Sequence, residues 1–281
     1  MAPTRHKGHP QPMLSYQHAY HAGNAADLHK HAALAALLVR LTAKDRGVTY
    51  LETHAGRALY DLAAPEAVKT GEAAAGIGAA RVAPDSPYGR ALAAVRAAHG
   101  AAAYPGSPMI AHALLRPQDR IVLMERHPQE AAALRRVMRG RTGGAEAAVH
   151  ARDGYEGALG VTPPPPGQGP RRGLVLIDPS YEDKDEYEAV ARFVPRLLKR
   201  WPEAAVLVWY PVLPAGRHAA LRGLDGARHE AAFAATRPGG MSGSGLLLAN
   251  PPYGAADDLS AGLRDTSGVL RDAREETPAS R

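Results

Sequence analysis

Short apolar segments alternate with segments of helical character along this chain. "VTYLE" (48–52), "IVLMER" (121–126), "LVLID" (174–178) and "AAVLVWY" (204–210) each have the length and composition of a short buried strand. A weaker strand lies within 145–154. Strands that alternate with helices favour an α/β fold with a mostly parallel sheet.

Capping residues and helical spacing place the helices between these strands. Asn24 is suited to cap a helix that runs to about residue 44. Further helices are expected over 128–140 and over about 185–200. Two more strands, "HEAAFAA" (229–235) and "GLLLAN" (245–250), are expected to form an antiparallel pair that completes a seven-stranded sheet.

The lengths of the connections predict how the chain divides. One connection is too long for a single crossover and is rich in Ala and Gly, which predicts a helical insertion after the first strand. The division that we expect is a disordered N-terminal extension (1–12), a core in two parts (13–56 and 119–263), the helical insertion subdomain (57–118) and a charged, frayed C-terminal tail (264–281).

Four consecutive predicted strands each end on an acid. These acids are Glu52, Glu125, Asp153 and Asp178. A single acid at a strand end is usually a helix cap or a turn residue. A buried carboxylate must be paired or solvated, so packing alone does not explain four of them. Because ligands of open α/β sheets lie at the carboxyl ends of the strands, the pattern predicts a polar ligand site there.

The turn after the first strand indicates which ligand this site binds. It contains Gly56-Arg57-Ala58 and lacks the G-x-G-x-x-G pattern of pyrophosphate cofactors. An acid after the second strand can accept both ribose hydroxyls, and an acid after the third can accept an adenine amino group. A nucleoside cofactor without phosphate satisfies these features, and S-adenosylmethionine is the common one.

The fourth strand runs into Asp178-Pro179-Ser180-Tyr181, a sequence that suits methylation of an adenine amine. The lone pair of that amine is delocalised into the ring. The Asp178 carboxylate and the Pro179 carbonyl could both accept from the NH2 group and draw its nitrogen toward sp3 geometry. Tyr181 offers a face on which an extruded base can stack. A type I turn is the alternative, and the tetrapeptide alone does not decide between the two.

The net charge and the absence of cysteine limit the binding partners and the cellular location that we expect. The formal charge is +6 and the sequence pI is about 9.6, which fits a polyanionic partner or a merely basic enzyme equally well. Cysteine is absent, which excludes disulfides, thiolate catalysis and cysteine-based zinc sites. We expect a cytoplasmic protein, because the N-terminus lacks an apolar signal region and no segment has the apolar length of a membrane span.

From Met13 to about Tyr253 the chain resembles the RlmJ family of bacterial adenine-N6 methyltransferases, which act on large-subunit ribosomal RNA. The opening "MLSYQHAYHAGNAADLHKH" (13–31) is the most specific match. The family's other motifs follow in order: "LETHAG", "YPGSP", "MERHP", "RDGY", "GLVLIDPSYE", "WYPV" and "GMSGSGLLLANPPY".

The resemblance implies a class I (Rossmann-like) methyltransferase fold with a helical insertion. It implies that Asp178 is the catalytic acceptor and that Tyr16 lies near the substrate adenosine. The implied partner is 23S ribosomal RNA, naked or in an early assembly intermediate, bound by a monomer without a metal. The implied cofactor contacts are His31, His54, Ser107, Glu125, Asp153, Gly154 and Asp178.

Two departures from the family pattern concern the site itself. The catalytic tetrapeptide is usually Asp-Pro-Pro-Tyr, and here Ser180 replaces the second proline. The turn after the first strand is usually Ala-Gly-Ala-Gly, and here Arg57 and Ala58 occupy its last two positions. The acid, the first proline and the aromatic residue remain, so the chemistry is retained with a less rigid loop.

Two other motifs could also indicate a functional site. "NPPY" (250–253) is by itself the better adenine-methyltransferase tetrapeptide, but it follows the last strand and is far in order from the cofactor acids. Histidines cluster at positions 18, 21, 29 and 31. We expect no metal site there, because no H-E-x-x-H pattern is present and His29 and His31 face different sides of a helix.

Two alternatives to RNA methylation remain open from the sequence. A DNA adenine-N6 methyltransferase would share the core chemistry. An RNA-binding protein with a degenerate cofactor site is suggested by Arg57 and Ser180.

Overall fold

The structure, a computed structural model, describes residues 17–140, 144–235 and 240–273. Its centre is an eight-stranded sheet. From one edge to the other the strands are β6 (Glu146–His150), β5 (Arg120–Met124), β1 (Thr49–Glu52), β7 (Gly173–Ile177), β8 (Ala204–Val212), β10 (Gly243–Ala249), β9 (Ala227–Ala232) and β12 (Arg271–Asp272).

The pairing confirms the predicted fold class. The first five strands of that order are parallel to their neighbours, and β10 is antiparallel to both β8 and β9. The chain enters the sheet at its centre with β1, then adds β5 and β6 on one side and β7 and β8 on the other. This reversal of direction beside β1 creates a crevice at the carboxyl ends of the strands.

The eighth strand comes from the segment that we expected to be a frayed tail. Arg271 and Asp272 pair with Ala232 and Ala231 of β9, which would otherwise be the sheet edge. Edge strands expose unpaired backbone groups, so even two added residues satisfy part of that edge. The charge-rich composition of this segment suggested fraying, but composition does not report whether backbone groups are paired.

Helices cover both faces of the sheet and divide the core into two layers. α1 (Ala25–Thr42) lies on one face, and its first turn is capped by Asn24, whose side chain accepts from the N–H of Asp27. On the other face α8 (Glu186–Arg200) packs its apolar side onto β7 and β8. The remaining helices of the core are α6 (Pro128–Met138), α7 (Gly154–Val161) and α9 (Ala261–Asp265).

The segment after β1 is mostly helical but also contains short strands. The division into core and insertion stays a prediction, and residues 1–12 lie outside the described part of the chain. The elements of the segment are β2 (Leu59–Asp61), α2 (Pro65–Thr70), α3 (Glu72–Ala75), β3 (Arg81–Val82), α4 (Pro87–His99), β4 (Ala103–Pro105) and α5 (Ser107–Leu114). β2 pairs with β4, and β3 pairs with β11 (Thr266–Ser267). In the described ranges, we find no helix with the length and apolar character to cross a membrane.

The competing tetrapeptide lies at the opposite edge of the sheet from the four acids. β10 runs antiparallel to β8, so its carboxyl end meets the beginning of β8. There the Asn250 side chain donates to the carbonyl oxygens of Pro202 (2.9 Å) and Ala204 (2.7 Å). Asn250 has a φ of 50°, a left-handed conformation that asparagine tolerates. Asn250 therefore closes a structural turn.

Replacement of Asn250 by Ala should destabilise the protein but not impair a reaction at the other edge. We expect a loss of about 1–2 kcal/mol in the free energy of unfolding, because two hydrogen bonds disappear and alanine disfavours a positive φ. Asn250→Gly removes the same bonds without the backbone strain and should lose less. Urea unfolding measures both variants. Methyl transfer should stay within about tenfold of wild type, and its abolition by Asn250→Ala would show that the wrong tetrapeptide was chosen.

Candidate active site

The sheet register brings three of the four acids to adjacent strand ends. Glu52, the last residue of β1, lies opposite Leu123 of β5 and Leu176 of β7. Glu125 and Asp178 each follow two residues beyond those partners, so they flank Glu52 on either side. Asp153 follows the neighbouring strand β6. The predicted convergence of acids at one edge is therefore present in the structure.

Glu125 joins the turns that follow β1 and β5. Its Oε2 accepts from the N–H of Gly56 (2.8 Å), and its Oε1 accepts from the N–H of His127 (2.7 Å). Burial raises the pKa of the Glu125 carboxyl, and the two backbone donors partly oppose this shift. Each carboxylate oxygen can still accept a second hydrogen bond, so Glu125 can both hold the turn and bind ribose hydroxyls.

Asp153 has the commonplace role that a strand-end acid usually has. It caps α7, with Oδ1 accepting from the N–H groups of Tyr155 and Glu156 at 3.0 Å each. Its Oδ2 lies 3.8 Å from Arg126 Nη1 and accepts no hydrogen bond within the described residues, so it is available to a ligand. Gly154 leaves no room for a side chain, since a Cβ there would lie 2.0 Å from the Thr53 carbonyl oxygen.

His54 lies between the two sides of this edge. Its Nδ1 lies 2.8 Å from Thr53 Oγ1, and its ring meets the Tyr155 ring edge-on at 5.2 Å. Burial lowers the pKa of His54 to about 4, although the nearby carboxylates of Asp178 and Asp153 act to raise it. A neutral imidazole at pH 7 can donate one hydrogen bond and accept another, and it brings no positive charge against a sulfonium ligand.

Ser107 reaches the site through Glu52. Its hydroxyl donates to Glu52 Oε1, and the Tyr50 hydroxyl donates to Glu52 Oε2 at 2.8 Å. Burial raises the pKa of Glu52 to about 8, and the nearby Asp178 charge adds to the shift. This shift favours the protonated form of Glu52 at neutral pH.

A buried lysine, which sequence reasoning missed, holds the Asp178 carboxylate. Lys30 Nζ donates to Asp178 Oδ2 at 2.6 Å and lies 3.0 Å from Asp27 Oδ1. The Lys30 side chain is only 5% exposed. Burial acts to lower the pKa of Lys30, but the two carboxylates outweigh it and raise that pKa above its ordinary value. Lys30 is therefore a fixed cation that bridges α1 to the end of β7.

His31 follows Lys30 on α1, and its side chain is buried. Its Nδ1 lies 3.0 Å from the Tyr104 hydroxyl, and its Nε2 lies 3.7 Å from Asp27 Oδ1. Burial lowers the pKa of His31 to about 3, so the ring is neutral. His29, in contrast, faces Ser244 and His229, which confirms that the two histidines point in different directions. No group of metal-binding side chains occurs in the part of the chain that the structure describes.

The second oxygen of Asp178 is open at the rim of the crevice. Among the described residues, Asp178 Oδ1 and the Pro179 carbonyl oxygen accept no hydrogen bond, and the Asp178 side chain is 14% exposed. Tyr181 has a φ of 54° and is 8% exposed. Its ring packs against Tyr187 at 4.4 Å, so base stacking on Tyr181 stays a prediction that requires this packing to open. Tyr16 lies outside the described residues.

The two departures from the family pattern have local consequences. Arg57 donates to both oxygens of Glu130, with 2.8 Å from Nε and 2.5 Å from Nη2, and so ties the first turn to α6. Ala58 has a φ of 69°, a conformation in which glycine is the unstrained residue. Ser180 is exposed. Arg57 therefore has an ion-pair partner that holds it to α6.

The strand order, the crevice beside β1 and the acids along it define a class I methyltransferase. A family model described as "Ribosomal RNA large subunit methyltransferase D, RlmJ" matches residues 45–264. The chain belongs to this RlmJ family of ribosomal RNA methyltransferases. The predictions of a methyltransferase and of S-adenosylmethionine as its cofactor are confirmed at the level of the family, and the buried acids and neutral His54 fit that ligand.

Relatives in sequence and structure agree with this assignment. The chain is 37% identical to a Haemophilus influenzae protein named "Ribosomal RNA large subunit methyltransferase J" over 255 residues, which cover 86% of this chain and 88% of that protein. An Escherichia coli protein of the same name is 35% identical with the same coverage. A Legionella pneumophila crystal structure superposes with a TM-score of 0.73 at 30% identity and covers 90% of this chain and 98% of that one.

The spacing of Asp27 and Lys30 in the sequence indicates an ion pair, provided that α1 is known to be buried. They lie three positions apart within "NAADLHKH", the i,i+3 spacing of an ion pair on one helix face. The surrounding positions of α1 are apolar on nearly every side. Charged residues on such a helix must be paired in the interior, and the acid at the end of the strand 174–178 offers a partner for Lys30.

Replacement of Glu52 by Gln should remove a pH dependence of stability. Below about pH 4.5 Glu52 is protonated in both the folded and unfolded states. Between about pH 4.5 and 8 only the unfolded chain loses this proton, so the wild type loses stability as pH rises, by up to about 1.4 kcal/mol per pH unit. Gln has no proton to lose, and we expect Glu52→Gln to become the more stable protein toward pH 8.

Urea unfolding at pH 5 and pH 8.5 measures this difference. Glu146→Gln is the matched control, because Glu146 is 79% exposed and pairs with Arg120 at the surface. Parallel pH profiles for wild type and Glu52→Gln would contradict a protonated Glu52.

Proposed function

We propose that this protein transfers the methyl group of S-adenosylmethionine to the N6 amine of an adenosine in 23S ribosomal RNA. One observation carries the proposal. Lys30 holds one oxygen of Asp178 at the end of β7, while the other oxygen and the Pro179 carbonyl accept no hydrogen bond from the described residues. Two neighbouring acceptors without a donor in the described part of the chain are suited to the two hydrogens of an exocyclic amine.

The chain's contribution to the reaction is positioning and electrostatic stabilisation. Asp178 and Pro179 accept hydrogen bonds from the target NH2 group and turn its lone pair toward the methyl donor. Positive charge develops on the nitrogen during transfer, and the hydrogen bond to Asp178 strengthens at that stage. Interactions that strengthen in the transition state raise the rate more than they raise ground-state affinity. Bound S-adenosylmethionine supplies the electrophilic methyl group.

The cofactor would be held along the carboxyl edge of the sheet. Glu125 is placed to bind the ribose, and Asp153 Oδ2, which accepts no hydrogen bond from the described residues, is placed to accept from the adenine amine. Because Gly154 has no side chain, its backbone can lie against the Thr53 carbonyl at that edge. His31, His54, Ser107 and Asp178 complete the proposed contacts, with His31 and Ser107 acting from buried positions.

An arginine-rich edge supports RNA as the partner. Arg135 and Arg136 on α6, Arg139 directly after it and Arg152 after β6 are exposed, and within the described residues none of them pairs with a carboxylate. These residues lie beside the strand that leads to Asp153. Unpaired arginines along one edge favour a phosphate backbone, because each contact releases counterions. The relatives are named as methyltransferases of the large ribosomal subunit, which supports RNA of that subunit as the partner.

The remaining predictions concern the substrate and the setting. Tyr16 and Tyr181 would contact the target adenosine, and the substrate would be naked RNA or an early assembly intermediate. The protein would act as a monomer in the cytoplasm without a metal. DNA methylation and RNA binding without catalysis are the two competing functions, and the family match favours neither of them.

Labelled methyl transfer separates these functions. Tritiated S-adenosylmethionine would be incubated with the protein and either transcribed 23S ribosomal RNA or duplex DNA, followed by nucleoside analysis. We expect N6-methyladenosine in the RNA alone. Label in the DNA alone would establish the DNA enzyme. An absence of both label and cofactor binding by calorimetry would establish the binding protein.

Asp178→Ala should slow methyl transfer by on the order of a hundredfold or more, because an acceptor that acts in the transition state is lost. RNA affinity should change little, since it depends mainly on phosphate contacts. Asp178→Asn should retain more activity, because the amide oxygen still accepts. Ser180→Pro restores the usual family loop and should be neutral or mildly activating. Single-turnover kinetics measures all three variants, and a near wild-type rate for Asp178→Ala would refute the mechanism.

A further inference from the structure

A network of hydrogen-bonded side chains lies beneath the proposed site and has no role in the proposed chemistry. Trp209 Nε1 donates to Ser244 Oγ at 2.9 Å. Ser244 Oγ also lies 2.9 Å from His29 Nδ1, and His29 Nε2 lies 2.9 Å from His229 Nδ1. Four side chains from α1, β8, β9 and β10 are thereby joined.

The members of this network from α1, β9 and β10 are buried in the core. Ser244 and His29 are fully buried, and His229 is 7% exposed. Burial, together with the neighbouring His229, lowers the pKa of His29 to about 3. A neutral histidine presents one donor and one acceptor, so it can link Ser244 to His229 without placing a charge in the core. The arrangement has one well-defined geometry, because a misplaced member would leave buried polar atoms unpaired.

Trp209 connects this network to Lys30 and Tyr181. Lys30 Nζ lies 5.5 Å from the centre of the Trp209 ring, in the geometry of a cation–π contact. The Trp209 ring meets the Tyr181 ring edge-on at 5.9 Å, and the Tyr181 hydroxyl donates to the Trp209 carbonyl oxygen at 2.8 Å. The orientation of the indole therefore bears on both the cation that holds Asp178 and the tyrosine of the catalytic loop.

We propose that Ser244, His29 and His229 are positioning residues that fix the Trp209 indole against Lys30 and so set the placement of Asp178 for methyl transfer. None of the three touches the reacting atoms. The inference rests on the proposed function of Asp178. It predicts that the loss of one buried hydroxyl slows the chemical step without weakening RNA binding, since the network lies in the core beneath the site.

The test uses Ser244→Ala and the two tryptophans of the chain, Trp201 and Trp209. In 15N-labelled protein each indole gives one N–H resonance, and Trp209→Phe assigns them. Trp201, at the end of α8, donates to the carbonyl of Arg171 just before β7, so its resonance is an internal control. Ser260→Ala is the matched substitution, because the hydrogen bonds of the Ser260 hydroxyl among the described residues are local, to Asp257 and Arg264.

For Ser244→Ala we expect the Trp209 resonance to move while that of Trp201 stays. The single-turnover rate at saturating RNA should fall about tenfold, with RNA affinity within about twofold of wild type. Ser260→Ala should change none of these quantities. Trp209→Phe keeps an aromatic ring beside Lys30 but removes the indole donor, and it should slow methyl transfer to the same degree. This variant tests the proposal even if Ser244→Ala fails to fold.

Three outcomes overturn the proposal. An unmoved Trp209 resonance in Ser244→Ala shows that the hydrogen bond is absent. A moved resonance with an unchanged rate shows that the network serves the fold alone. A wild-type protein that transfers no methyl group to RNA refutes the proposed function itself, and the inference falls with it.

Discussion

The buried ammonium of Lys30 is the interaction on which the site depends. A charged group in the interior costs several kcal/mol unless it is paired, and Lys30 is paired with Asp27 on its own helix and with Asp178 at the end of β7. This arrangement joins the opening helix of the fold to the loop after β7, in which we propose the catalytic acceptor. The Asp178 carboxylate thereby acquires a buried counterion that fixes one of its oxygens.

The other features of the site follow from this constraint and from the sheet register. Because parallel strands end at one edge, the acids meet there, and each meets a different environment. Glu52 is sealed beneath Ser107 and holds a proton, whereas Glu125 is held by backbone N–H groups. Asp178 alone combines a lysine partner with an open oxygen, so acids that look equivalent in the sequence acquire separate roles.

Local sequence patterns predicted the strands, the capped opening helix and the sheet edge that carries the site, because apolar runs and capping residues act over a few positions. They did not predict α7, whose cap is Asp153, the same acid that ends the third strand. Nor did they predict β12, since pairing with β9 is a contact between distant segments. Lys30 was missed because the partner that makes it tolerable, Asp178, lies 148 residues away.

A double-mutant cycle between Lys30 and Asp178 on the single-turnover rate tests the central claim most directly. Lys30→Met should slow methyl transfer by about ten- to a hundredfold in the wild type, because Asp178 loses the cation that positions it. In the Asp178→Asn background the same substitution should change the rate by less than about threefold, since the amide has no charge to pair. Effects of Lys30→Met on Asp27 or on folding occur in both backgrounds and cancel. If Lys30→Met slows both backgrounds by the same factor, the two residues act independently and the ion pair does not position the catalytic carboxylate.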